Sequence, residues 1–267
     1  MRCVLLIAMD TVRSVRRHRV LLAFLLLSLA GMVLVTRGIR SATREMMRVE
    51  QLKPHAADAG PGQSQDAKLE TKLRQMAVTF NGFFAFAMSL VGSLLSLVIF
   101  CTIVSSEVHT GTIRVTLAKP VPRWAYLLGK WLGATAILAA YCLIAGIAAG
   151  VLGLEYGVQG MQTSVSVPWL AFCGSLVLGS VGLAYSLFLR APVAGVLAWF
   201  TSATWFSWFP PLYAVLPSYR PFDVSQMTLF DTPLSPWHMV LTTLYAADVV
   251  AILLLVAFAR FRRMEIA

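Results

Sequence analysis

SSEVHTGTIRVTLAKPVPRWAYLLGK, residues 105–130, carries five charges, at Glu107, Arg114, Lys119, Arg123 and Lys130. It lies between two blocks, 75–106 and 131–154, that contain no Asp, Glu, Lys or Arg at all. About 20 mostly apolar residues suffice for a helix to cross a hydrocarbon core of roughly 30 Å. Each flanking block is longer than that. The charged passage therefore joins two membrane spans, and the rest of the chain has to be read from it outward.

The composition agrees. Of 267 residues, 58% are hydrophobic and 13% are charged, whereas a soluble domain is roughly 25% charged. Further uncharged runs cover 20–36, 156–189 and 191–219, and 232–259 contains only Asp248. Six spans follow, near 20–36, 80–104, 128–153, 168–189, 192–209 and 239–259, so the expected fold is an all-α polytopic membrane protein. The first run is short: its residues rise only about 25 Å at 1.5 Å each. Arg19 and Arg37 then snorkel toward the headgroups while the helix continues past both ends.

A net charge of +10 suggests nucleic-acid binding in a soluble chain, but here it has to be divided between two sides. With the N-terminus inside, the inner segments hold Arg2, Arg13, Arg16, Arg17, Arg19, Arg114, Lys119, Arg123, Lys130, Arg190, Arg260, Arg262 and Arg263. Eight outer positives sit in the single loop 37–79, and the other outer loops contribute only Arg220. Short loops decide orientation. The expectation is N-in and C-in, with membrane lipids rather than nucleic acid as the basic residues' partners. A basic start followed by an apolar stretch and "SLA" at 28–30 also imitates a signal peptide, but an anchor that stays is the reading taken here.

Along the chain, residues 1–19 place Val4, Leu5, Ala8, Val12 and Val15 on one side of a helix lying in the interface. Residues 20–267 form the six-span domain. After the first span, Arg37, Arg40, Arg44 and Arg48 form a stripe at helical spacing, and "KPHAADAGPGQSQD" breaks the helix. Leu69, Leu73 and Met76 then resume an apolar face, so loop 37–79 reads as an outer helical hairpin. Gly129/Gly133, Gly146/Gly150 and Gly153/Gly157 are small pairs at i,i+4 that let helix backbones approach. The proline- and aromatic-rich segment 210–237 reads as a folded outer cap.

Catalytic chemistry finds little support. "AYLLGKW" ends in Gly-Lys but has Trp124 and Trp131 where a Walker A loop needs Gly and Ser or Thr. Cys3, Cys101, Cys142 and Cys173 form no C-x-x-C pair. An intramembrane serine protease would use Ser180 and His238, but "LGSVGL" lacks the Gly-x-Ser-Gly pattern. The four histidines fall outside the span centres, which excludes a membrane haem pair. No cofactor or metal is expected on this chain. Asp248 is an intramembrane candidate, because a charge at that depth is functional by default. The bland alternative is a neutral carboxyl hydrogen-bonded to a neighbouring helix.

The opening passage resembles the signature of ABC-2 type permeases, in which an acidic residue, Gly-Thr, Leu, Pro and Arg precede a Gly-Lys at the start of the third span. Glu107, Gly111, Thr112, Leu117, Pro120, Arg123, Gly129 and Lys130 occupy those places in order. The resemblance implies a type V exporter-like architecture in the cell membrane, expected to be the inner or plasma membrane of a bacterium. It implies two permease chains, identical or homologous, working with a dimer of separate ABC ATPase subunits that bind ATP and Mg. Segment 105–126 would couple them, through Glu107, Thr110, Gly111, Thr112, Arg114, Leu117, Lys119, Pro120 and Arg123, with Gly129 and Lys130 at the re-entry into the membrane. A non-transporting scaffold or immunity protein would share the six spans but has no need of this passage.

Overall fold

A computed structural model describes residues 2–17, 37, 65–109, 122–155, 161–202, 222 and 235–263. Among these there are six helices and no strand: α1 (Arg2–Arg17), α2 (Gln65–His109), α3 (Arg123–Glu155), α4 (Met161–Ser186), α5 (Ala191–Ser202) and α6 (Pro236–Arg263). Four of them, α2, α3, α4 and α6, are long and apolar enough to cross a membrane, and α5 is a shorter apolar helix. The expected first span at 20–36, most of the outer hairpin and the outer cap lie outside the described residues.

α2 extends past both ends of the span expected near 80–104. α2 is one helix of 45 residues, so its polar start at Gln65, the resumed apolar face and the span share a single axis. Hydropathy marks where a helix meets lipid, whereas backbone hydrogen bonding continues for as long as no breaker intervenes. At the other end α2 runs on to His109, which makes Glu107 part of its last turn.

α4 is the central element. It packs against α2, α3, α5 and α6, and 78% of its apolar window is buried within the chain, against 17% for α6. Lipid is as apolar as leucine, so association here rests on close packing and hydrogen bonds rather than on the hydrophobic effect. The α2–α4 seam shows both. A Cβ at Gly179 would fall 2.7 Å from Phe100 Cδ2, which requires glycine there, and the Ser96 hydroxyl donates to the Ser175 carbonyl. Gly92 faces Ser175 while Gly182 faces Cys101, so positions advance together along both helices. The two are parallel.

α4 and α6 are joined by Trp169 Nε1 donating to Thr243 Oγ1 at 2.9 Å. Phe222 is fully buried against Tyr245, with ring centroids 6.0 Å apart. Cys101, Cys142 and Cys173 are buried free thiols, and Cys3 is exposed.

Candidate functional site

Arg123, Tyr126 and Lys130 are spaced three and four residues apart, so the first two turns of α3 present them on one face. That face meets the last turn of α2. Lys130 Nζ donates to Glu107 Oε1 at 2.5 Å, and the Tyr126 hydroxyl donates to Glu107 Oε2. The Lys130 side chain is 4% exposed and that of Glu107 24%. Lys130 Nζ also lies 5.7 Å from the centre of the Tyr126 ring.

A charge of either sign left alone at such a position would be costly, and a buried pair contributes little net stability. Its value is in register. Only one alignment of α2 against α3 lets both donors reach the two oxygens of one carboxylate.

α6 reaches the same point. Phe261, fully buried, stacks on Tyr126 with centroids 5.8 Å apart and planes within 10°. Arg123 Nη1 donates to the carbonyls of Arg262, at 3.0 Å, and Phe261, at 3.5 Å. The last four carbonyls of a helix have no partner inside it, and the C-terminal end carries partial negative charge. Arg123 answers both.

The fourth helix at this end is α1, which packs along α3. A Cβ on Gly129 would lie 2.8 Å from Ile7 Cβ and 3.0 Å from the Val4 carbonyl oxygen. One on Gly133 would lie 2.6 Å from Thr11 Cβ and 2.9 Å from the Ala8 carbonyl oxygen. The two glycines form a seat for the face Val4, Ile7, Ala8 and Thr11. Of the apolar side read from the sequence, Val4 is buried in this seat, while Leu5 and Val12 are exposed at 62% and 42%. Leu6 and Met9 also face outward, so α1 keeps an apolar surface beside the one that packs on α3.

The sequence-derived candidates now fall into three groups. Glu107, Arg123, Gly129 and Lys130 come together at this end of the bundle. Thr110, Gly111, Thr112, Arg114, Leu117, Lys119 and Pro120 lie outside the described residues. Asp248 stands apart: it is exposed, near the middle of α6, on the side opposite Thr242, Ala246 and Val250, which are buried.

The protease pair is not assembled. Ser180 accepts from Trp131 Nε1 at 3.1 Å and donates to the Leu176 carbonyl, near the end of α4, whereas His238 opens α6. No group of His, Cys, Asp and Glu among the described residues could hold a metal ion. What sequence reasoning missed is Tyr126 and Phe261, because aromatics near span ends read as interfacial anchors. The available signal was the 123/126/130 spacing, which separates a packed polar face from the exposed Trp124.

The family model described as "ABC-2 family transporter protein" matches residues 5–266. The chain belongs to the ABC-2 transporter family. It is a multi-pass membrane permease of an ABC transporter, a translocation component that is not itself catalytic. No curated protein matches the chain. Within the ABC-2 permease, the polar cluster ties α2 to α3, the helices that precede and follow residues 110–121.

Proposed function

We propose that this permease is half of the membrane part of an ATP-driven exporter. Two permease chains, identical or homologous, would form the path, and two separate ATPase chains would bind ATP and Mg and drive it. Both termini would lie in the cytoplasm, with the assembly in the bacterial inner or plasma membrane. Segment 105–126 is the coupling element, and residues 110–121 face the ATPase.

One observation supports this reading above the others. The two ends of the loop are locked by Glu107 to Lys130 and Tyr126, so a push on the loop moves α2 and α3 as one body. A rigid element seated in a partner can couple two bistable bodies in this way. A flexible tether would absorb the push. Glu107 then acts by holding the base of the loop, while Arg114, Lys119 and the backbone at Gly111 supply the outward-facing surface. The basic character of that end suits a headgroup-level position on the inner side, where Arg13, Arg190, Arg260, Arg262 and Arg263 are all exposed.

The test is co-purification of the ATP-binding chain with parent and variant permeases from native membranes, followed by ATP turnover. Gly111→Pro, which removes a backbone donor, and Arg114→Glu should insert normally yet lose the ATPase chain or its stimulated turnover. Retention of both by both variants would reduce the passage to a topology anchor.

A further inference from the structure

Resting on that coupling reading, we propose that Arg123, Tyr126 and Phe261 form a clamp that delivers the movement of the coupling segment to the last span. In this arrangement α6 is driven by the ATPase together with α2 and α3, and Arg123 and Phe261 are positioning residues.

Little besides α4 holds α6. Its apolar window is 17% buried, and its packing on α3 is slight beside its packing on α4. Without a specific tie at the loop end, α6 would follow α4. The tie is present. The Tyr126 hydroxyl is committed to Glu107 while the face of the same ring carries Phe261, so one side chain belongs at once to the α2–α3 lock and to the α6 contact. Three residues earlier, Arg123 takes the carbonyls of Phe261 and Arg262.

Arg123 directly follows the Pro-Val-Pro exit of the coupling segment, and Pro122 accepts the first backbone bonds of α3, from Ala125 and Tyr126. A displacement of the loop therefore reaches Arg123 before any other residue of the span. The guanidinium suits the task because its planar fork offers several donors in fixed directions, and it meets helix-end carbonyls that have no intrahelical donor. On the opposite flank, α6 touches the α4–α5 turn through Arg260, whose guanidinium lies 4.9 Å from the Phe188 ring. Both residues there are exposed. Such a contact is easily broken and remade. On the clamp side the Tyr126–Phe261 stack is buried and the Arg123 bonds are directional, so α6 should travel with α3 and slide against Phe188.

Double electron–electron resonance on the permease–ATPase complex, with exposed Cys3 replaced by Ser, tests this. One label pair at Trp124→Cys and Ala259→Cys spans the clamp. A second at Leu189→Cys and Ala259→Cys spans the sliding side. With ATP, Mg and vanadate, the parent should keep one narrow 124–259 distance while the 189–259 distance shifts. In Arg123→Gln combined with Phe261→Leu, the 124–259 distribution should broaden and the 189–259 shift should disappear. Phe261→Leu alone, which lies outside segment 105–126, should still co-purify with the ATPase chain. Phe261→Tyr, which preserves the stack, should behave as the parent, an outcome that distinguishes positioning from general loss of packing. A nucleotide-dependent 124–259 distance in the parent, or a 189–259 shift that survives the double variant, overturns the clamp. If the parent binds no ATPase chain, the coupling reading fails and the clamp fails with it.

Discussion

Lys130→Met removes one partner from a pair in which the lysine side chain is 4% exposed and the glutamate side chain 24%. The methionine fills much the same volume, so the loss is electrostatic rather than a cavity. Breaking a buried pair from one side costs about 3–5 kcal/mol, because a charge is left uncompensated. Here the figure belongs near the lower end, since Glu107 keeps the Tyr126 hydroxyl and some contact with solvent. Glu107→Gln should cost a similar amount by stranding the lysine. The double variant, Glu107→Gln with Lys130→Met, leaves no orphan charge and still lets the residue 107 amide oxygen accept from Tyr126. It should cost less than either single change. A double-mutant cycle in reversible mixed-micelle unfolding should therefore give a coupling energy of about 3 kcal/mol. Contacting residues couple by roughly 0.5–3 kcal/mol, whereas independent sites add within about 0.5 kcal/mol. Additivity within that margin would refute the claim that these side chains form one buried unit.

Three further outcomes are expected. Gly133→Leu places a side chain where Thr11 Cβ and the Ala8 carbonyl already sit; overpacking of this kind costs about 1–3 kcal/mol, so a cysteine replacing Val4, 8% exposed in the parent, should become freely reactive, and continued protection would mean that α1 is held elsewhere. A charge facing lipid at mid-depth costs about 2.5–3.5 kcal/mol or more, so the outward Asp248 belongs beside water or protein in the assembly. Asp248→Cys should accordingly react with a water-soluble thiosulfonate in the lipid-reconstituted complex, and reaction only with a lipid-permeant maleimide would contradict this. Cysteines at Ser64 and Ser225 should label from outside intact cells and one at Thr110 only after permeabilisation; outside labelling at Thr110 would invert the orientation.

The spans were legible because lipid solvation acts on each residue separately: 75–106 and 131–154 read as membrane segments with no knowledge of their neighbours. The motif glycine and lysine were legible as positions, but their work was not. Gly129 looked like general helix packing and proves to be the floor of a seat for Val4 and Ile7. Lys130 was placed at the re-entry into the membrane and proves to be buried against Glu107. In both cases the deciding partner lies more than twenty residues away or on the far side of a loop, where periodicity carries no information. α1 makes the same point. Hydropathy marked an apolar side that includes Leu5 and Val12, but the surface that packs on Gly129 and Gly133 is set by Val4, Ile7, Ala8 and Thr11, which only the partner helix reveals. Asp248 was found by its charge alone, yet only the fold shows that it points away from α4.

The central claim is that residues 110–121 touch an ATP-binding chain. The most direct measurement places a photo-crosslinking amino acid at Thr112, and a control at Ser64, in cells expressing the full transporter. Illumination should join the Thr112 variant to a protein that binds ATP, with a yield that changes between nucleotide-free and vanadate-trapped membranes, while the Ser64 variant captures no such protein. Crosslinks from Thr112 to lipid or to the permease itself, with no ATP-binding chain among the products in either state, would contradict the account.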